Sequence, residues 1–341
     1  MRDATVGAAG IAVGLSAADR AAAAKKPAKP RKNILNYNPD MEYRRLGKTG
    51  LWVSAVCMGG HWKRINKILE ATGKTRDQNC HDVVSRCIDV GINYIDACSE
   101  GEVKAYSRAL AGRRDKMYLA LSGREVRSEN YRTCDKLLGS LDSLLKESKQ
   151  EYTDLWRITC YEPGGRHTFD TACELVEALT KAKKQGKARF LGFSTHDRRW
   201  IKFMIEYFPQ IEVVLFPYTA RTQRMPKDSL FDALEKCDVG AFGIKPFASN
   251  SLFKGSSAPD DPHAEEDDRR ARLAIRYILC NPRMIPIPGL VSTHQVDNVA
   301  KAVKERRQLD LAEAKELKNL MDQTWAKLPQ NYQWLKNWEY V

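Results

Sequence analysis

A carboxylate closes the run Gly91-Ile92-Asn93-Tyr94-Ile95-Asp96, and other groups able to do chemistry follow comparable apolar runs. His61 and Trp62 follow 53–58, Cys98 follows Asp96, and Cys160, Tyr161 and Glu162 follow 154–158. Ser194, Thr195 and His196 follow 189–193, Tyr218 follows 212–217, Lys245 follows 239–244, and Ser292 and His294 follow 284–288. Three imidazoles, two carboxylates and a lysine make a set suited to proton transfer. Buried and unpaired, Asp96 would have a raised pKa and act as a general acid or base. Capping the next helix, or pairing with an arginine such as Arg124, would instead make it structural. His61, His196, Asp96 and Glu162 could in principle ligate a metal. Each comes from a different run, no spacing motif links them, and no metal site is assigned. Cys98 and Cys160 read as redox-active thiols or as small lining residues. Lys245 reads as an anion-binding group or a surface lysine.

The elements that must position these groups alternate regularly. Apolar strands are predicted at 53–58, 92–96, 117–121, 154–158, 189–193, 212–217, 239–244 and 284–288. Helical periodicity fills 77–90, 102–111, 128–146, 168–185, 197–207, 226–236, 266–280 and 310–325. A hairpin is expected over 43–51, turning at Gly47 and Gly50. Eight strand–helix alternations behind a capping hairpin predict an α/β fold, a (β/α)8 TIM barrel, whose chemistry gathers at the C-terminal strand ends. The doubly wound dinucleotide fold is excluded: no G-x-G-x-x-G follows the first strand. The acidic stretch 249–268 reads as a loop on the mouth side. In the aromatic tail, Trp334, Trp338 and Tyr340 would either stack on a sugar ring or pin the tail to the barrel.

The formal charge is +13, but the basic residues are spread along the chain, so no nucleic-acid partner is expected. Nine cysteines with no C-x-x-C pair suggest free thiols rather than a zinc ribbon or a disulfide framework. No apolar run is long enough for a membrane span. Residues 1–24, rich in alanine, read as an export signal of twin-arginine type lacking its arginine pair, which would lead to the periplasm; a disordered tail on a cytoplasmic protein is the alternative. A linker is expected over 25–40, the barrel over 41–325 and the tail over 326–341.

Several blocks resemble the aldo-keto reductase superfamily. They are Tyr43–Gly60 (YRRLGKTGLWVSAVCMGG), the Asp96 run, Ala109–Lys116 (ALAGRRDK), Tyr152–Ile158 (YTDLWRI), Gly192-Phe193-Ser194, Ala274–Leu279 and Ile287-Pro288-Gly289, all in the family's order. The resemblance implies an oxidoreductase moving a hydride between NADP(H) and a carbonyl or sugar-like small molecule, using an Asp, Tyr, Lys and His tetrad. Asp96 matches the Asp. The Tyr, Lys and His positions hold Gly101, Ser122 and Thr159, and the nearest tyrosine, Tyr106, falls in the next helix. The family's dinucleotide site maps onto Ser194, Thr195 in place of Asn, Gly289, Ser292, Asp297 and Asn298, with Leu215 at its glutamine position. The cysteines of the family's iron–sulfur members are absent. Three functions follow as expectations. One is a reductase with a rearranged site built on His61, Asp96, Glu162, His196 and Lys245. The others are a non-redox lyase, isomerase or hydrolase using Asp96 and the mouth histidines, and a non-catalytic binding protein.

Overall fold

The computed structural model describes residues 34–122, 132–160, 167–222 and 228–336. The expected export signal, Arg124, Tyr161, Glu162, Trp338 and Tyr340 lie outside the described residues. An antiparallel hairpin, β1 (Tyr43–Arg45) and β2 (Trp52–Ser54), precedes eight parallel strands. These are β3 (Met58–Gly59), β4 (Tyr94–Ala97), β5 (Tyr118–Leu121), β6 (Thr153–Thr159), β7 (Ala188–Ser194), β8 (Val213–Pro217), β9 (Gly240–Ile244) and β10 (Met284–Ile287). They pair in sequence order from β3 to β10. Gly59 and Gly289 bridge the first and last strands, and Gly59 N donates to Pro288 O at 2.8 Å, closing the barrel. A Cβ on Gly59 would lie 2.8 Å from Pro288 O, so the seam needs a residue without a side chain.

The predicted strands all form. The run 53–58 divides, its first part serving the hairpin and its last two residues the barrel. Period-two alternation fixes which side chains point inward. Tyr94, Tyr118, Ala120, Leu155, Val213, Leu215, Phe242 and Ile285 form the inner cluster, with Leu46 of the hairpin plugging its base. Ile95, Leu119, Trp156 and Phe193 face the surrounding helices.

Helices α1 (Ile65–Thr72), α2 (Arg76–Asp89), α3 (Glu100–Ala109), α4 (Cys134–Ser148) and α5 (Phe169–Lys184) come first in the chain. They are followed by α6 (Arg198–Tyr207), α7 (Leu230–Lys236), α8 (Ala264–Leu279), α9 (Thr293–Lys304) and α10 (Leu311–Ala326). Neither the eight-residue α1 nor the twelve-residue α9 is among the helical stretches expected from the sequence. The acidic loop is shorter than predicted because α8 starts at Ala264, with Glu265, Glu266 and Asp267 in its first turn, where carboxylates favour a helix start. Asn38, at the end of the expected linker, is already bound to the barrel: its Nδ2 donates to Asp89 O at 3.0 Å. No disulfide joins any of the nine cysteines. Among the described residues no helix is long and apolar enough to cross a membrane.

Candidate active site

The inward positions near the C-terminal strand ends turn polar. On β4, Asp96 shares the parity of inward Tyr94; on β6, Arg157 and Thr159 share that of inward Leu155. Between these strands, inward Ala120 offers only a methyl group, leaving room for Arg157 to reach across β5. Arg157 Nε donates to Asp96 Oδ1 at 2.5 Å and Nη2 to Oδ2 at 2.7 Å, with both residues almost fully buried. The remaining donors are also taken. Nη1 reaches Thr159 Oγ1 at 3.2 Å and Ser194 Oγ at 3.1 Å, and Nη2 reaches Cys98 Sγ at 3.0 Å. All five guanidinium hydrogens therefore have acceptors. Burial opposes the charge on Arg157, but the neighbouring Asp96 carboxylate outweighs it and holds the pKa above the ordinary arginine value.

Asp96 is thus not unpaired: an arginine holds both of its carboxylate oxygens. Its partner lies on β6, inside the block already noted as YTDLWRI. The signal was available: an arginine at an inward position of a buried strand needs a carboxylate to meet it. Ser122 and Thr159 stand beside this pair and share a hydroxyl–hydroxyl hydrogen bond. Gly101 lies in the first turn of α3. Tyr106 is fully buried in α3, where its hydroxyl accepts from Trp62 Nε1 at 2.9 Å and burial pushes its pKa well up.

A cavity of about 1510 Å³ opens above this floor. Asp96, His61, His196 and Lys245 line it, as do Ser194, Thr195, Gly289, Ser292 and Asn298. Asp297 does not: its carboxylate accepts from Arg86 Nε at 2.6 Å on the outer face of α9. Asn298 is tied down, accepting from Arg272 Nη1 at 2.6 Å and donating to Asp268 O at 3.0 Å. The His61 ring is exposed at the rim of a concave mouth. Loss of solvent there, with the charges of Lys245, Arg157 and Lys63, brings its pKa down to about 4, against the pull of Asp96.

Glu102 was not anticipated. It is buried behind the mouth, its carboxylate accepting from Cys98 N at 2.7 Å and from His61 N. Burial raises its pKa, against those two bonds. Its sequence signal is Ser99-x-x-Glu102, a helix-start pattern in which Ser99 Oγ accepts from Glu102 N. The Cys98 thiol donates to Asp96 Oδ2 at 3.1 Å, and burial and that carboxylate push its pKa up.

The C-terminal segment packs against three residues that line the cavity, Lys63, His196 and Lys245. Trp334 stacks on His196 with ring centres 3.8 Å apart and lies 5.7 Å from Lys245 Nζ. Tyr332 Oη accepts from Lys63 Nζ, which also donates to Ser249 O at 3.1 Å. Burial works against ionisation of Tyr332, but the hydrogen bond and charge of Lys63 bring its pKa below the usual tyrosine value. Positive φ angles mark this rim, at 68° for His61, 28° for Trp62 and 56° for Lys245. Strain of this kind persists where the surroundings impose it.

Comparison with known proteins places this geometry. The chain is 23% identical over 297 residues to L-galactose dehydrogenase of Arabidopsis thaliana, covering 80% of this chain and 91% of that protein. It is also 23% identical over 282 residues to L-glyceraldehyde 3-phosphate reductase of Escherichia coli, 76% of each. Among solved structures, an aldo-keto reductase of Bacillus halodurans in its holo form superposes with a TM-score of 0.61 at 20% identity, over 82% of this chain and 96% of that one. An aldo-keto reductase of Klebsiella pneumoniae in complex with NADPH gives 0.59 at 18% identity, over 82% and 94%. The family model described as aldo/keto reductase matches residues 58–322, and the chain belongs to that family.

Proposed function

We propose that the chain is an oxidoreductase acting on a small sugar-like alcohol or carbonyl, with a nicotinamide dinucleotide as its redox partner. The names of its relatives, a sugar dehydrogenase and a sugar-phosphate reductase, support the substrate class. The observation that carries the reading is the Lys63–Tyr332 pair. Among the described tyrosines with a shifted pKa, Tyr332 is the one shifted downward. A hydroxyl so tuned can exchange a proton with the reacting oxygen. In this reading Gly101, Ser122 and Thr159 stand where the family keeps its Tyr, Lys and His, and proton transfer has moved to the rim.

The cavity's donor set fits a dinucleotide. Ser194, Thr195 and Ser292, each with a hydroxyl, are among the lining residues, and Gly289 leaves the backbone accessible. Asp261, Glu265 and Asp268 also line the cavity and suit ribose hydroxyls better than an added phosphate. Such a group would supply the hydride donor or acceptor. The protein's own work is then to hold the substrate over a polar floor fixed by Asp96 and Arg157, to move the proton at Tyr332 Oη, and to limit water with Trp334. With both Asp96 oxygens on Arg157, acid–base chemistry by Asp96 is disfavoured, and with it the non-redox alternative. Incubation with L-galactose and NAD⁺, or with L-glyceraldehyde 3-phosphate and NADH, tests the reading by absorbance of the reduced nucleotide. Steady turnover of either is expected. No turnover of these or of a panel of aldoses and polyols would refute it.

A further inference from the structure

We infer that His61, Cys98 and Glu102 form a site for one divalent transition-metal ion, of which zinc is the best chemical match, with an open coordination position facing the mouth cavity. The three residues come from the turn after β3, the end of β4 and the first turn of α3. One ligand atom from each, an imidazole nitrogen, a thiol sulfur and a carboxylate oxygen, lies within 4.8 Å of the others. A mixed N, S and O set of three is what zinc takes in sites that keep a fourth position for water or substrate.

The site is built. Glu102 is fixed by the backbone amides of the other two ligands, Cys98 and His61, and each of its oxygens keeps a lone pair. Gly60 makes this possible, since a Cβ there would lie 2.3 Å from the Glu102 carboxylate. His61 is turned toward the cluster by backbone in the left-handed region, which continues at Trp62. Cys98 Sγ has a cation beside it, Arg157 Nη2 at 3.0 Å, that remains a donor once the sulfur is a thiolate. Outer partners of this kind orient and tune metal ligands.

Binding breaks the Cys98 thiol's hydrogen bond to Asp96 Oδ2, releases the thiol proton to solvent and forms a metal–sulfur bond, leaving Oδ2 with its bond from Arg157 Nη2; no electron is transferred. Thiolate, carboxylate and neutral imidazole carry two negative charges, which the ion cancels, while Asp96 and Arg157 already cancel each other. His61 and Cys98 line the cavity and Glu102 closes its back, so the open position faces the space where a substrate oxygen would sit. An ion there would polarise a hydroxyl or carbonyl. The site stands on its own ligands and does not depend on the redox reading.

The test is a titration of chelator-treated full-length protein with Co²⁺, then with Zn²⁺ as competitor. One equivalent of cobalt is expected, with a thiolate-to-cobalt charge-transfer band in the near ultraviolet and ligand-field bands of tetrahedral intensity, all abolished by zinc. Cys98→Ser should lose the charge-transfer band. His61→Ala, at the exposed rim and so safe for folding, should weaken binding about tenfold or more. Cys237→Ser should change nothing. Failure to bind cobalt, a charge-transfer band that survives Cys98→Ser, or undiminished affinity in His61→Ala would each overturn the proposal, whatever the protein's turnover.

Discussion

Arg157 and Asp96 are joined by two hydrogen bonds, 2.5 Å and 2.7 Å long, across the intervening strand β5. They belong to alternate strands of the barrel, which is how inward residues come to share a layer. The pair sets the floor of the mouth: Thr159, Ser194 and Cys98 all take hydrogen bonds from the same guanidinium.

Removing one partner leaves a buried charge alone. Arg157→Met or Asp96→Leu should each destabilise the fold by roughly 3–5 kcal/mol, while the double variant should recover much of that loss. Urea denaturation of the three variants checks this. Equal losses in the singles and their sum in the double would show that the two charges are not coupled.

Tyr332 carries the proton in this account. Tyr332→Phe should lower kcat by about 10²–10⁴-fold with little change in KM. Lys63→Met removes the charge that holds the tyrosine pKa down, so the basic limb of the pH–rate profile should move to higher pH. A structural role for the pair would reduce activity without moving that limb.

Acid stability should depend on Glu313. Its carboxylate accepts from Arg276 Nη1 at 2.8 Å and Nη2 at 3.0 Å, and caps α10 through Asp310. The Arg276 bonds, against burial, lower its pKa from 4.5 to about 2. Because the folded value is the lower one, this stabilisation is complete above about pH 4.5 and is lost as pH falls toward 2. Glu313→Gln should lower stability at neutral pH and flatten the decline across that window. Denaturation midpoints measured from pH 7 down to 2 decide it, and an unchanged slope would count against the assignment.

Much of the fold is legible in the residues. Apolar runs of strand length alternate with helical periods, and all eight barrel strands form within about two residues of where the sequence puts them, apart from the divided first run. Asp96 was visible as a carboxylate ending a strand. Its partner on β6 is harder to read, because Leu155, Trp156 and Ile158 make the strand apolar on both faces and hide the inward position of Arg157. Glu102 was hidden for another reason: Ser99-x-x-Glu102 reads as an ordinary helix start, and only the turn at His61 shows that its carboxylate serves two strand ends. The Lys63–Tyr332 contact joins residues far apart in the chain, and no local pattern reports such a pairing.

The most direct test of the central claim is titration of the purified protein with NADH and with NADPH, followed by the fluorescence of its tryptophans, of which Trp334 stacks on His196 at the mouth. The account predicts saturable binding of NADH at micromolar concentrations and weaker binding of NADPH, because Asp261, Glu265 and Asp268 oppose an added phosphate. No saturable response to either nucleotide up to millimolar concentration would contradict it.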